Sequence, residues 1–333
     1  MKRAARRALL VAAVAIAVAP LGGCIPAAPQ AFTAALPAPS NHARLVVVGD
    51  FQRTSWLELW RESNDRERAF VVGAIAESRA DLLAITGDLV FDGGSEARWA
   101  EFDELAQPLR TAKLPVIAAF GNHEYWEGRA LGEEHFFRRI VHARHRHWYA
   151  IALGAVRIVV LDSNVRELFP REWNEQVAWY RASLEAFDRD PAVRGVLVMM
   201  HHPAYTNSTV TGDEAQVQAH FVPPFAHAKK TLAMLCGHVH NYERFVAYDK
   251  TFVVSGGGGG PRARLATGDA RRHMGDLFAG PPLRDFHFTI YDLSDRGIDA
   301  EVRGLPKGGD TFHTMDRFAL PFRSRGDEVT RWG

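Results

Sequence analysis

At 333 residues with 47% hydrophobic composition, the chain can bury a substantial core, as one large domain or two ordinary ones. Its formal charge of +1 is unevenly spread: Lys2, Arg3, Arg6 and Arg7 are the only charged residues before Cys24, so the remainder carries 36 basic against 39 acidic groups, a charge of −3. A near-neutral, slightly acidic body has no electrostatic reason to hold nucleic acid nonspecifically, and no nucleic-acid partner is expected.

The chain begins with a basic stretch followed by an apolar run from Ala8 to Gly23, the layout of a secretory signal. The run is shorter than a helix needs to cross the ~30 Å hydrocarbon core of a bilayer. It ends in Leu21-Gly22-Gly23-Cys24, which resembles the bacterial lipoprotein processing box. That resemblance implies cleavage before Cys24, a lipid on its sulfur, and an exported protein anchored to the cell envelope. Ile25 rather than Asp follows the cysteine, which favours the outer membrane in a diderm host. With Cys24 lipidated, Cys236 has no disulfide partner, and its place after Ala233-Met234-Leu235 reads as a buried, inert thiol.

Residues 24–42 are rich in Ala and Pro and read as a semi-extended tether. From Arg44 the pattern alternates. Leu45–Val48 is a β-branched run suited to a buried strand. Asp65–Ser78 has helical spacing with Phe70, Ala74 and Ile75 on one side. Leu82–Thr86 reads as strand, Glu96–Leu109 as helix, Val116–Phe120 as strand and Glu133–Ile140 as helix. Two strands flank a hairpin turn at Gly154-Ala155. A helix over Asn174–Phe187 places Val177, Tyr180, Leu184 and Phe187 on one face, and Val196–Met200 and Leu232–Leu235 are strands. The remainder (Phe245–Val254, Phe286–Leu293, Ile298–Val302) is β. Such an order predicts two packed sheets with helices outside, as one catalytic domain over 43–320 with a tail over 321–333.

Five polar clusters each follow an apolar run: Gly49-Asp50-Phe51-Gln52, Gly87-Asp88, Gly121-Asn122-His123-Glu124, His201-His202-Pro203 and Gly237-His238-Val239-His240. Taken singly, an Asp after a Gly is more often a turn or a helix cap than a ligand. Five clusters in this order resemble the calcineurin-like metallophosphoesterase superfamily, and Gly237 to Arg244 is similar to its purple acid phosphatase branch. The resemblance implies an α/β fold, a four-layer α/β/β/α sandwich of two mixed sheets flanked by helices. It also implies a metal-dependent phosphoric ester hydrolase, most simply a phosphomonoesterase acting on a small phosphorylated substrate. Two divalent cations about 3.5–4 Å apart would hold a bridging hydroxide as nucleophile.

By the same resemblance Asp88 bridges the cations, Asp50 and His240 complete the first site, and Asn122, His201 and His238 complete the second. Oxygen and imidazole donors without thiolate suit Mn, Fe or Zn. His123 is then the catalytic group that stabilises phosphoryl charge and protonates the leaving oxygen. His202, Tyr205 and Asn207 are expected to face the substrate.

Two positions depart from the family pattern. Gln52 stands where a histidine is usual, and is a candidate ligand through its amide oxygen. Phe91 stands where the purple branch has tyrosine, so no tyrosinate charge-transfer colour is expected. Glu243 and Arg244 read as a structural pair. Gly256–Gly260 lacks the Gly-Lys-Ser/Thr ending of a P-loop and reads as a turn. Pro261–Pro282, with Arg262, Arg264, Arg271, Arg272 and His273, reads as a flap for anionic substrates or a solvated insertion. Alternatives to a monoesterase are a phosphodiesterase acting on cyclic nucleotides or other small diesters, and a metal-dependent binding protein with an eroded site. Retention of His123, which catalysis uses and simple metal binding does not, argues for turnover.

Overall fold

The computed structural model describes residues 30–55, 60–278 and 280–323. The leader and Cys24 lie outside the described residues. In chain order the first half contains β1 (Ala43–Val48), α1 (Asp65–Glu77), β2 (Leu82–Ile85), α2 (Glu96–Leu105), α3 (Gln107–Thr111), β3 (Val116–Ala118) and α4 (Arg129–Arg139). Then come β4 (Tyr149–Leu153), β5 (Val156–Val160), α5 (Pro170–Arg189), β6 (Gly195–Met199), α6 (Ala215–His220), α7 (Val222–His227) and β7 (Thr231–Cys236). The chain finishes in strands β8 (Tyr242–Ala247), β9 (Lys250–Ser255), β10 (Phe286–Leu293), β11 (Gly297–Leu305) and β12 (His313–Pro321).

These strands form two six-stranded mixed sheets, ordered β12-β11-β10-β1-β2-β3 and β4-β5-β6-β7-β9-β8. The period of two along β6 shows how the layers stack. Leu197 and Met199 join Val47, Leu235 and Val253 in the core between the sheets. Val196, Val198 and Met200 face the other way, onto Val177, Tyr180 and Leu184 of α5 and Phe225 of α7. Alternation on a strand covered on both faces leaves no polar side, which is why these strands read as unbroken apolar runs. The fold is therefore the α/β two-sheet sandwich with flanking helices that was expected.

Several expectations change in detail. The helix over Glu96–Leu109 is broken at Ala106, because Pro108 in the first turn of α3 has no N–H to give a preceding carbonyl. Helix α1 buries Val71, Val72 and Ile75, whereas Phe70 is exposed beneath the Arg66 guanidinium. Strand β12 was not anticipated, since Leu320 is its one buried residue and an edge strand needs little apolar alternation. The Ala/Pro-rich segment does not stand off the domain from residue 30 onward. Phe32 is buried, its N–H donates to Arg139 O, and Arg110 covers its ring. At the other end Phe322 packs beneath Arg194, so the domain runs two residues past 320. No helix among the described residues is long and apolar enough to cross a membrane.

Candidate metal centre

Strands β1 and β2, β2 and β3, and β6 and β7 are parallel pairs. Each therefore delivers the loop after its carboxyl end to one edge of the sandwich, the place where open α/β sheets collect ligands. The five clusters meet there. Asp50, Asp88 and His240 form one group of ligand atoms lying within 4.8 Å of one another, and His201, His202 and His238 form another. Asp88 touches both. Its Oδ2 is 3.3 Å from His201 Nε2 and 3.0 Å from Gln52 Nε2, which itself lies 2.9 Å from His240 Nε2. Asn122 Oδ1 is 3.1 Å from His201 Nε2, so the second group gains an oxygen donor.

The backbone is strained to achieve this. Asp50, Asp88, His238 and His240 all have φ between 51° and 70°, the left-handed region that costs a non-glycine residue roughly 1–3 kcal/mol. Glycines relieve the crowding around them. A Cβ on Gly121 would lie 2.1 Å from Asp88 Oδ1, and one on Gly256 would lie 2.5 Å from Asp50 Oδ2. The run Gly256–Gly260 is thus the packing surface against the ligand loops. Its N–H groups at Gly258 and Gly260 donate to Gly49 O and Asp50 O rather than to any phosphate.

Hydrogen bonds on the far side of the rings orient the nitrogens. His201 Nδ1–H donates to Thr86 O and His240 Nδ1–H donates to Pro261 O, both at 2.9 Å, which turns each Nε2 lone pair inward. Asp50 accepts the His238 N–H at 3.0 Å. Burial opposes ionisation of Asp88, but His201 and His123 beside it hold its carboxyl well below the usual range. Burial also works against a proton on His201, yet Asp88 keeps its pKa up at about 9. His202 is pushed down to about 3, and His238 far below its ordinary value, by burial and by the neighbouring imidazoles. His202 and His238 are thus neutral donors, and His201, whose proton is held by Asp88, would release it when a divalent cation binds. Gln52 Oε1 is buried with no partner among the described residues. Rotating that amide would present an oxygen where Nε2 now sits. The residues fit two hard-to-borderline divalent cations.

Glu124 is the group that sequence reasoning passed over. Fully buried, it accepts the N–H groups of Asp88 and Gly121 at 2.9 and 2.7 Å and of Leu89 at 2.7 Å. It thereby ties the second cluster to the third. Burial and the charge of Asp88 push its carboxyl upward against those three donors. An acid beside His123 was visible in the sequence, but nothing there said that it would be buried or which backbone groups it would meet.

His123 lies at the cleft. Its Nδ1–H donates to Phe91 O at 2.6 Å, its Nε2 is 3.9 Å from Asp88 Oδ2, and the Trp126 ring covers it at 3.8 Å. Phe91 thus holds the histidine through its carbonyl and offers no phenolate. His202 sits between Ser163 Oγ, 2.9 Å from its Nδ1, and the His238 ring at 4.4 Å. Tyr205 and Asn207 are not at the cleft. Asn207 is buried and both donates to and accepts from the His273 backbone, and Tyr205 packs on Phe252 and His273. They follow the fourth cluster in sequence, but their side chains are taken up by His273 and Phe252 beside the cleft wall at Ser208.

Glu243 and Arg244 do not pair with each other. Glu243 accepts from Thr206 Oγ1 and Asn207 N, while Arg244 binds Asp316. Cys236 is buried and its thiol is pushed up by that burial. Segment 261–282 is stitched down. Arg262 pairs with Glu62, Arg272 donates to Thr206, Ser208 and Thr211 carbonyls, and His273 binds Asp213. The cleft above Asp88, Asn122, His123, His238 and His240 has a volume of about 580 Å³.

The family description Calcineurin-like phosphoesterase matches residues 43–242. Purple acid phosphatase 22 of Arabidopsis thaliana is 24% identical over 217 residues, which are 60% of this chain and 44% of that protein. A probable cyclic nucleotide phosphodiesterase of Moraxella catarrhalis is 29% identical over 175 residues, 48% of this chain and 58% of that protein. The chain thus spans about half the length of these curated relatives. Among solved structures, the purple acid phosphatase PPD1 from yellow lupin (Lupinus luteus) seeds is similar with a TM-score of 0.66 at 20% identity, covering 86% of this chain and 55% of that one. The matched residues run from β1 to the start of β8 and contain every group in the two ligand clusters, and the chain belongs to the calcineurin-like phosphoesterase family.

Proposed function

We propose that the protein is a metal-dependent phosphoric ester hydrolase acting best on phosphomonoesters. The observation that carries this is Asp88, set between two groups of inward-turned donors with His123 Nε2 beside it at the floor of an open cleft. Asp50, Asp88 and His240, with Gln52 once its amide turns, would hold one divalent cation. Asp88, Asn122, His201 and His238 would hold the other, with His202 supporting the His238 ring. Such a pair supplies charge stabilisation for both the attacking and the leaving oxygen of an in-line displacement.

The chain's own residues do the rest. His123, fixed at Nδ1 by Phe91 O, directs Nε2 into the cleft, where its proton can pass to the departing oxygen as water bonds to phosphorus and the ester P–O bond breaks. Proton transfer of this kind is worth roughly 10²–10⁴-fold. Glu124 keeps the Asp88 and Asn122 loops in register.

A diesterase is the second reading, favoured by the likeness to the probable cyclic nucleotide phosphodiesterase. Matched aryl mono- and diesters, assayed with Mn, Fe and Zn titrated in and His123→Ala as control, separate the cases. Cation-dependent turnover that prefers the monoester and drops at least a hundredfold in the variant is expected. A diester preference installs the second reading, and two bound cations without turnover of either ester removes both in favour of a binding role. We further propose that the chain is exported and held at the envelope by a lipid on Cys24.

A further inference from the structure

Three imidazoles crowd the second donor group, although Asp88 and Asn122 already bring oxygen to it. His201, His202 and His238 each offer a ring nitrogen, and these lie within 4.8 Å of one another. The His202 ring is 4.4 Å from that of His238 and 5.0 Å from that of His201. Neutrality and nearness alone would admit His202 as a further ligand. Which of its nitrogens carries the hydrogen decides whether it can be one.

The loop after β5 answers that without contributing a ligand. Ser163 is buried, and its Oγ accepts the His202 N–H at 2.9 Å while lying 2.9 Å from His202 Nδ1. A hydroxyl has one hydrogen, and a buried one must be given to an acceptor. Among the described residues that acceptor is His202 Nδ1. Nδ1 therefore carries no hydrogen, and Nε2 of the neutral ring carries it instead. The serine is held in place, because its neighbours are fastened. Asp162 N–H donates to Gln176 Oε1 at 2.7 Å, and the Asp162 carbonyl accepts from Gln176 Nε2 at 2.8 Å. Asn164 Nδ2 donates to Asp162 Oδ1 at 2.8 Å and to Phe120 O at 3.1 Å, immediately ahead of the Gly121-Asn122 cluster.

Resting on the hydrolase reading above, we propose that Ser163 is a positioning residue that locks His202 as its Nε2–H tautomer and so keeps it out of the ligand set. Both ring nitrogens are then occupied, Nδ1 by the serine hydrogen and Nε2 by its own. Two imidazoles, an amide and a carboxylate are left for the second cation, and room remains for water or a phosphoryl oxygen, as a catalytic rather than a structural site requires. Without the serine hydroxyl the one ring hydrogen can move from Nε2 to Nδ1, with no net gain or loss of a proton. The Nε2 lone pair is then free to compete as a ligand.

The test follows the imidazole nitrogens of the full chain by NMR, with isotopically labelled histidine and His202 assigned by its loss in His202→Gln. In the cation-free wild type, His202 shows hydrogen on Nε2 and none on Nδ1. Zn²⁺ leaves that pattern in place while the His201 and His238 nitrogens shift. S163A loses the fixed pattern, and S163T, which keeps the hydroxyl, retains it. With phenyl phosphate, S163A lowers kcat about tenfold, the worth of one buried hydrogen bond, and S163T recovers most of it. By calorimetry S163A nonetheless binds its second Zn²⁺ at least as tightly as wild type. Hydrogen on Nδ1 in the wild type, or loss of the Nε2 hydrogen when Zn²⁺ binds, overturns the lock. So does an S163A protein that binds Zn²⁺ more weakly as it loses turnover, since that is ordinary structural damage. Should S163A fail to fold, the wild-type spectra decide alone. Absence of turnover on any ester by a wild type with His202 locked sinks the hydrolase reading and leaves His202 outside the ligand set.

Discussion

Gln52 replaces an imidazole by a neutral amide at the floor of the site, and it does so without adding or removing charge. Its Nε2 lies against Asp88 and His240 while its Oε1 is buried and unpaired. An amide oxygen is a poorer donor than imidazole nitrogen for Mn, Fe or Zn, so one cation should be held less tightly than the other. Gln52→His is expected to raise the affinity of the weaker step by about tenfold, the lower end of what a changed ligand shell does. Calorimetric titration of the cation-free protein checks this, and an equal or weaker second step would show that residue 52 does not ligate. The candidate ligands were legible because Asp, Asn and His each followed the end of an apolar run. Glu124, Trp126 and Ser163 were not. Their roles depend on which backbone donors and rings they meet across the fold. Tyr205 and Asn207 misled for the same reason, since nearness to a motif along the chain does not set the direction of a side chain.

Elements were legible where periodicity was strong and hidden where it was weak. Helix α5 shows its buried stripe of Val177, Tyr180 and Leu184 in the sequence, whereas α6 and α7 are six residues each and the second opens on Pro223 and Pro224. One tie between elements has a consequence for pH. His147 packs between Asp162, just beyond β5, and Glu133 of α4, at 3.0 and 3.3 Å, with Tyr125 bonding Asp162 and Arg129 bonding Glu133. Burial alone would discharge it, but the two carboxylates hold its pKa up at about 9. A raised folded-state pKa means the stabilisation is complete below the ordinary histidine value near 6.5 and is lost as pH climbs through 9. Its size is at most about 3 kcal/mol. Thermal melts from pH 6 to 9.5 should fall across that window in the wild type and fall less in His147→Gln. Parallel curves would show that this network does not carry the pH dependence.

At the scale of the whole molecule, the sandwich supplies the edge on which the clusters meet, and the proposed leader would place that edge outside the cytoplasm. The described part of the Ala/Pro-rich segment lies along the domain, anchored by Phe32, so a lipid at Cys24 would tether the body closely rather than on a long free arm. Expressed in a diderm bacterium, the wild-type chain should be recovered in the membrane fraction and Cys24→Ser in the soluble periplasmic fraction. Equal recovery of both in the soluble fraction would remove the anchor. The two-sheet architecture, most of its strands and the candidate metal-ligating residues were legible in the sequence alone, because apolar period and strand-end polar clusters are local properties. Tertiary structure decided the rest: that Asp88 lies between the two donor groups, that Glu124 binds the loops together, that Phe32 belongs to the core, and that Arg262 pairs with Glu62. Each of these depends on a partner far away in the chain, and a side chain's available hydrogen bonds are known only when the fold has chosen its neighbours.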